Sequence, residues 1–251
     1  MLQARLQKRL RVNNISSFRE YCDFVLSGKD KEDEIIQMID VVSTNKTDFF
    51  REPMHFDFLR SNVLPEFYRA TQTGDLKVWS AACSSGEEIY SIAMTISEFM
   101  EGKKKFGFSV LGTDISSRIL EQATTAVYSS EQAAAVPVHL KMKYMMRNKN
   151  AEKPNVRIIP ELRSKTSFQR LNLMDTIYHV PGKFDIIFCR NVLIYFDRET
   201  QEKVINRLCA QLKTGGYLFL GHSESITGIH VPLKTLKPTV YIKTEQKFFS
   251  S

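Results

Sequence analysis

The stretch 77–90, KVWSAACSSGEEIY, constrains the fold more than any other part of the chain. Val78, Trp79, Ala81 and Ala82 make an apolar run, small residues follow at Cys83, Ser84, Ser85 and Gly86, and a helical period opens at Glu87 and Glu88. This is the order strand, turn, helix, a junction that points backbone N–H groups at whatever binds above the strand. It predicts an α/β protein with a ligand held at the turn.

The chain on either side agrees with that reading. Turn chemistry at Thr73, Gly74 and Asp75 precedes the stretch, and Ile89, Ile92, Ala93, Ile96 and Phe99 continue a helix that stops near Gly102. Residues 108–112 read as a strand ending in Thr113 and Asp114, and 119–126 as a helix. Further on, FDIIFC at 184–189 is the nearly unbroken apolar run of a strand buried on both faces. Val204, Ile205, Leu208 and Leu212 mark a helix that stops at Gly215 and Gly216, with strands at 217–221 and 239–243. Alternation of this kind implies a parallel sheet with crossover helices.

Residues 1–72 read as helical, and 73–251 as the α/β domain. Leu2, Leu6 and Leu10 share one helical face, and the charges among them, Arg5, Lys8, Arg9 and Arg11, are all positive. Ile35, Ile36, Ile39 and Val42 form a second amphipathic pattern, and Phe56, Leu59, Val63 and Leu64 a third, opened by Pro53. Polar residues at 44–51 interrupt the period, so a loop is expected there. Alternation also breaks between 136 and 171, where Lys141, Lys143, Arg147, Lys149, Lys153 and Arg157 crowd a segment with a turn-rich tip at 148–154. A small β-rich insertion is expected at about 137–168, either as a solvated basic loop or as a docking surface.

Composition excludes several classes. A hydrophobic fraction of 43% and a charged fraction of 25% suit a globular chain of 251 residues. Apolar runs fall short of the ~20 residues that span a bilayer, and no signal-peptide core opens the chain, so a cytoplasmic protein without direct membrane insertion is expected. Cys22, Cys83, Cys189 and Cys209 form no C-x-x-C pair and the five histidines are scattered; reduced, packed thiols and no structural metal are expected. The net charge of +7 and pI of 9.2 imply an acidic partner without naming it.

Three positions carry candidate chemistry. Ser85 and Glu88 satisfy the S-x-x-E capping box, while the same Glu88 at a helix start could hold a cationic amine. Asp114 ends the second strand, where an acidic side chain either caps the next helix or reaches ribose hydroxyls. Asn191 follows the buried strand in the same way. Polar residues at the carboxyl ends of successive parallel strands point to a ligand crevice, although no G-x-G-x-x-G is present to mark a dinucleotide.

Together, Asn45-x-Thr47-x-Phe49-Phe50-Arg51, Val78-Trp-Ser-Ala-Ala82, Ser85-Gly-Glu-Glu88, Phe184-Asp-x-Ile-Phe-Cys-Arg-Asn-Val192 with Ile194-Tyr-Phe-Asp197, and Gly221-His-Ser-Glu224 resemble the CheR family of chemotaxis receptor methyltransferases over nearly the whole chain. The resemblance implies a Rossmann-like S-adenosylmethionine-dependent methyltransferase domain with an inserted small β-subdomain, preceded by a small all-helical N-terminal domain. A further helix usually precedes the first one seen here, so that domain is expected to be short at its start. The implied reaction moves a methyl group from S-adenosyl-L-methionine to glutamate side chains on the cytoplasmic helices of chemoreceptors, leaving S-adenosyl-L-homocysteine. By motif, Asn45, Thr47 and Arg51 are implied cofactor and active-site contacts, Glu88 the partner of the amine and Asp114 of the ribose. Asn172 and Leu173 are implied to lie by the adenine, with Asn191 and Val192 lining the same crevice. Arg5, Lys8, Arg9 and Arg11 become receptor-docking candidates. Position alone adds Tyr195 to Arg51 at the methyl-transfer end. A basic methyltransferase also suits nucleic acid, but Asn-Val-Leu-Ile-Tyr lacks the prolines of the Asn-Pro-Pro-Tyr amide grip, and no nucleic-acid partner is expected. A cofactor-binding signalling scaffold without turnover is the remaining alternative.

Overall fold

The computed structural model describes residues 2–27, 32–70, 74–103, 107–148 and 154–245. Three helices open the chain: α1 (Leu2–Val12), α2 (Phe18–Leu26) and α3 (Glu32–Val42). Ser17 caps α2 by accepting from the Glu20 N–H, and Leu6, Leu10, Tyr21 and Val25 form the buried centre of the bundle. An irregular strap leads to α4 (Pro53–Phe58), a π-helical stretch Leu59–Val63, and α5 (Leu64–Ala70). Pro53 stands in the first turn of α4, where its missing N–H costs no helical bond.

The α/β body follows: β1 (Leu76–Ala81), α6 (Glu87–Met100), β2 (Phe108–Asp114), α7 (Ser117–Thr125), β3 (Val127–Ser129), α8 (Val138–Tyr144), β4 (Met145–Arg147), β5 (Asn155–Ile158), α9 (Pro160–Arg163), β6 (Thr166–Arg170), β7 (Phe184–Cys189), α10 (Arg198–Gln211), β8 (Leu212–Leu220), β9 (Leu233–Lys237) and β10 (Val240–Lys243). Seven strands form one sheet in the order β6-β2-β1-β7-β8-β10-β9. The first five are parallel, and β10 and β9 are antiparallel additions. The wholly parallel sheet expected from alternation is thus a mixed one, because β8, β9 and β10 follow one another with no intervening helix, β9 taking the edge and β10 returning antiparallel between β9 and β8. From β1 the chain builds outward through β2 and β6, then returns to β7 on the other side of β1. Ligands bind at such a reversal of strand order, outside the carboxyl ends of the strands.

Side chains alternate across the sheet with the two-residue period of a strand. Val78, Ile186, Phe188 and Phe219 face one core with α6, whereas Trp79, Ile187, Cys189 and Leu218 face the other with Val204, Ile205 and Leu208 of α10. Phe188 and Phe219 stack with ring centroids 4.4 Å apart. Burying each such side chain stabilises by about 1.5–3 kcal/mol. At the other end of the strands, Asp185 accepts from the Lys77 N–H at 2.9 Å and pairs with Lys213 at 2.7 Å.

Several expectations need correction. Phe56, Leu59, Val63 and Leu64 belong to the α6-side core, so α4 and α5 pack with the α/β body rather than with the N-terminal bundle. The 72/73 boundary itself lies outside the described residues, as do Thr73, Lys149 and Lys153. The small sheet, ordered β3-β5-β4, begins at Val127, earlier than expected, and Thr166–Arg170 pairs with β2 in the main sheet rather than in the insertion. Cys83, Cys189 and Cys209 are buried free thiols, but Cys22 is exposed.

Candidate active site

The carboxyl ends of β1, β2 and β7 open into a cavity of about 400 Å³. Asn45, Thr47, Arg51, Glu88, Asp114, Asn172, Leu173, Asn191, Val192 and Tyr195 all line it. The volume lies within the range of small-molecule sites, about 300–1,000 Å³.

Its floor is the turn after β1. Ala82 (φ 65°), Ser84 (φ 51°) and Gly86 (φ 96°) all adopt left-handed backbone there, and such conformations cluster at functional sites. A Cβ at Gly86 would lie 2.9 Å from the Tyr128 hydroxyl and 3.0 Å from the Ala123 Cβ, so only glycine fits. The expected capping box does not form. Gly86 occupies the position before α6, and the Ser85 hydroxyl instead donates to Glu87 Oε2 at 2.7 Å.

Glu88 therefore turns inward. It accepts from the Ser80 hydroxyl at 2.7 Å and from Arg190 Nη1 at 3.0 Å. Burial raises its carboxyl pKa despite the guanidinium beside it. Asp114 takes the Ser84 N–H at 2.9 Å and the Ser116 N–H at 3.0 Å. Ser116, not Asp114, caps α7 by accepting from Ile119 N–H, which leaves the Asp114 carboxylate facing the cavity. Burial raises the Asp114 pKa as well, against the pull of these N–H bonds.

The wall after β7 is a network that sequence reasoning missed. Arg190, its side chain 1% exposed, bridges Glu88 and Glu52 with N···O distances of 3.0 Å to each, and donates to the Arg51 carbonyl. Glu52 also accepts from Asn191 Nδ2 at 3.1 Å and from His222 N–H at 3.2 Å. Burial alone would raise its pKa, but Arg190 and these donors hold it below the ordinary carboxyl value. Glu224 accepts from the N–H groups of Asn191, Val192, Leu193 and Gly221 at 2.6–3.0 Å, fixing Asn191 at φ 59°. A Cβ at Gly221 would lie 2.5 Å from Asn191 Nδ2. Arg190 and Glu224 both sit inside the motifs quoted above; their roles were hidden because their partners are distant in sequence.

The strap closes the remaining side. Phe49 is buried, edge-on to Tyr128 at 4.8 Å, and Phe50 N–H donates to Ser91 Oγ at 2.9 Å. The Asn45 carbonyl accepts from Ser84 Oγ at 3.0 Å, and Arg51 Nη1 donates to the Lys46 carbonyl at 3.0 Å. Lys46, Asp48 and Arg51 line the cavity from the strap, and Glu88, Asp114 and Arg190 line it from the strand ends. Tyr195, 62% exposed, stands at the rim. The four basic residues of α1 lie outside the cavity. Arg9 pairs with Glu34, and Arg5 donates to the Val42 carbonyl at 2.9 Å and the Ser43 carbonyl at 3.3 Å, at the end of α3, while Lys8 and Arg11 are exposed.

A parallel-stranded α/β fold with a polar cavity at the reversal of strand order defines the class: a nucleoside-cofactor-binding domain of Rossmann type. The family model for the SAM-binding domain of CheR methyltransferases matches residues 45–242, and that for the CheR all-alpha domain matches residues 1–43. The chain is 39% identical over 247 residues to a chemotaxis protein methyltransferase of Borreliella burgdorferi, covering 97% of this chain and 86% of that one. It is 36% identical over 241 residues to the Escherichia coli chemotaxis protein methyltransferase, covering 96% and 82%. The chain belongs to the CheR methyltransferase family, and its cofactor is S-adenosylmethionine. The chemistry of the lining fits that molecule: a carboxylate at the end of β2 suits a ribose diol, and a cavity that holds Glu88, Arg190 and Arg51 together suits an amino-acid end bearing both charges. Among the described residues, no helix is long and apolar enough to cross a membrane.

Proposed function

We propose that the chain methylates glutamate side chains on the cytoplasmic helices of chemoreceptors, forming methyl esters and releasing S-adenosylhomocysteine. The observation that carries this reading is the cavity itself, where Glu88, Asp114 and Arg190 at the strand ends meet Lys46, Asp48 and Arg51 of the strap, with Tyr195 at an open rim. The cofactor supplies an electrophilic methyl on a sulfonium. A substrate glutamate is ionised at neutral pH and needs no general base. What remains for the protein is to orient the reactants and exclude water.

In this reading Asp114 holds the ribose, Glu88 the amine, Asn172 and Leu173 the adenine, and Asn45, Thr47, Asn191 and Val192 complete the cradle. Arg51 orients a carboxylate, and Tyr195 shapes the methyl-transfer end. Lys8 and Arg11 are the stronger docking candidates, because Arg5 and Arg9 are engaged within the bundle. Incubation with methyl-labelled cofactor and either receptor helix fragments or RNA tests the substrate class. Base-labile label on receptor glutamates is expected; label on RNA, or tight cofactor binding without transfer to either, contradicts it.

A further inference from the structure

Beside the cavity, on the far side of Glu52, a second group of side chains converges. Donor atoms of Glu52, His55 and His222 all lie within 4.8 Å of one another. His55 is 2% exposed, and its Nε2 lies 2.8 Å from Thr239 Oγ1. The Thr239 hydroxyl donates to the Pro238 carbonyl at 2.6 Å, so its oxygen accepts from His55 Nε2–H. In the tautomer matching that arrangement, Nδ1 of the neutral ring carries a lone pair.

This Nδ1 is buried without a hydrogen-bond partner and lies 3.4 Å from Glu52 Oε2. Two lone-pair atoms facing each other repel unless a proton or a metal cation lies between them. Two metal–ligand bonds of about 2.0–2.1 Å at a tetrahedral angle place their donor atoms ~3.3 Å apart, the separation found here. His222 Nε2 stands 3.9 Å from the same oxygen, with a side chain 57% exposed and able to swing inward. A groove lined by Met54, His55, Asp57, His222 and Thr239 leads to the group from solvent and leaves room for water as a further ligand. The Thr239 contact holds the buried ring as an outer partner holds a metal-bound histidine.

We propose that Glu52, His55 and His222 bind a divalent transition-metal ion of the zinc class. Two imidazoles and one carboxylate are borderline N/O ligands suited to Zn²⁺, Co²⁺ or Ni²⁺ rather than to Mg²⁺ or Ca²⁺. Arg190, 3.0 Å from Glu52 Oε2, competes for that oxygen and keeps the affinity moderate.

The test is titration of chelator-stripped, tag-free protein with Co²⁺, followed in the visible spectrum, and with Zn²⁺, followed by calorimetry. A single equivalent binding at micromolar concentration, with visible d–d bands for Co²⁺, is expected. His222→Ala removes an exposed ligand with little risk to the fold and is expected to weaken binding by at least about 10–100-fold, as loss of even an outer partner does. His230→Ala, at a histidine outside the group, is expected to bind as the unsubstituted chain does. Affinity no better than millimolar, or His222→Ala binding as tightly as the unsubstituted chain, overturns the proposal.

Discussion

The two sides of the cavity hold their carboxylates by different means. On the β2 side, Asp114 is fixed by backbone N–H groups of Ser84 and Ser116. On the β7 side, Glu88 and Glu52 share the guanidinium of Arg190, helped by Ser80 and Asn191. Backbone donors are fixed by the fold and belong to turns that form in any case. A side-chain network depends on every member, because removing one leaves a buried charge uncompensated. The β2 side is therefore a rigid socket, and the β7 side a balance of charges that a zwitterionic ligand can enter.

The contrast can be broken from its heaviest side first. Arg190→Met is expected to cost about 3–5 kcal/mol, read by denaturant unfolding, since Glu88 and Glu52 lose their common partner. Asp114→Ala is expected to cost less, about 1–3 kcal/mol, because two N–H groups lose an acceptor but no buried charge is stranded; cofactor affinity should fall with it.

Acid sharpens the comparison. Glu88 and Asp114 have pKa values raised by burial, so each takes up its proton at a higher pH than an exposed residue of its type. Cofactor affinity should decline as pH falls through those raised values, because the protonated groups no longer attract an amine or accept from a diol as strongly. Glu52, held low by Arg190, has the opposite linkage: its stabilisation is complete above the ordinary glutamate value and is lost only as pH falls through its depressed one. Binding measured across the acid range should weaken before the protein unfolds. The smallest effect on stability belongs to Tyr195→Phe, within about 0.5 kcal/mol for an exposed side chain; methyl transfer should slow while cofactor affinity holds.

The rigid side was the more legible in sequence. Asp114 follows an apolar strand, and its carboxyl-end position marked it before any contact was seen. The Ser85 capping box was misread because nothing local reveals that Gly86 takes a left-handed turn beneath Tyr128. The network side was less legible still: Arg190 joins Glu88 and Glu52 across 102 and 138 residues, and no spacing rule connects such positions. His55 and His222 were hidden in the same way, since metal ligands are read from sequence only when they fall close together. The short strands β3 and β9 escaped because β3 has only three residues and β9 is largely exposed, with little apolar alternation to mark it.

Glu88 bears most directly on the claim that this cavity is a charge-balanced cofactor cradle. Calorimetric titration of S-adenosylhomocysteine into the unsubstituted chain and into Glu88→Gln decides it. Gln retains an acceptor for Ser80 and Arg190 but loses the charge, and Glu52 still neutralises Arg190, so the variant should unfold cooperatively at a lowered midpoint and bind about tenfold more weakly, ~1.4 kcal/mol. Equal affinity in the two proteins would contradict the assignment of Glu88 to the cofactor.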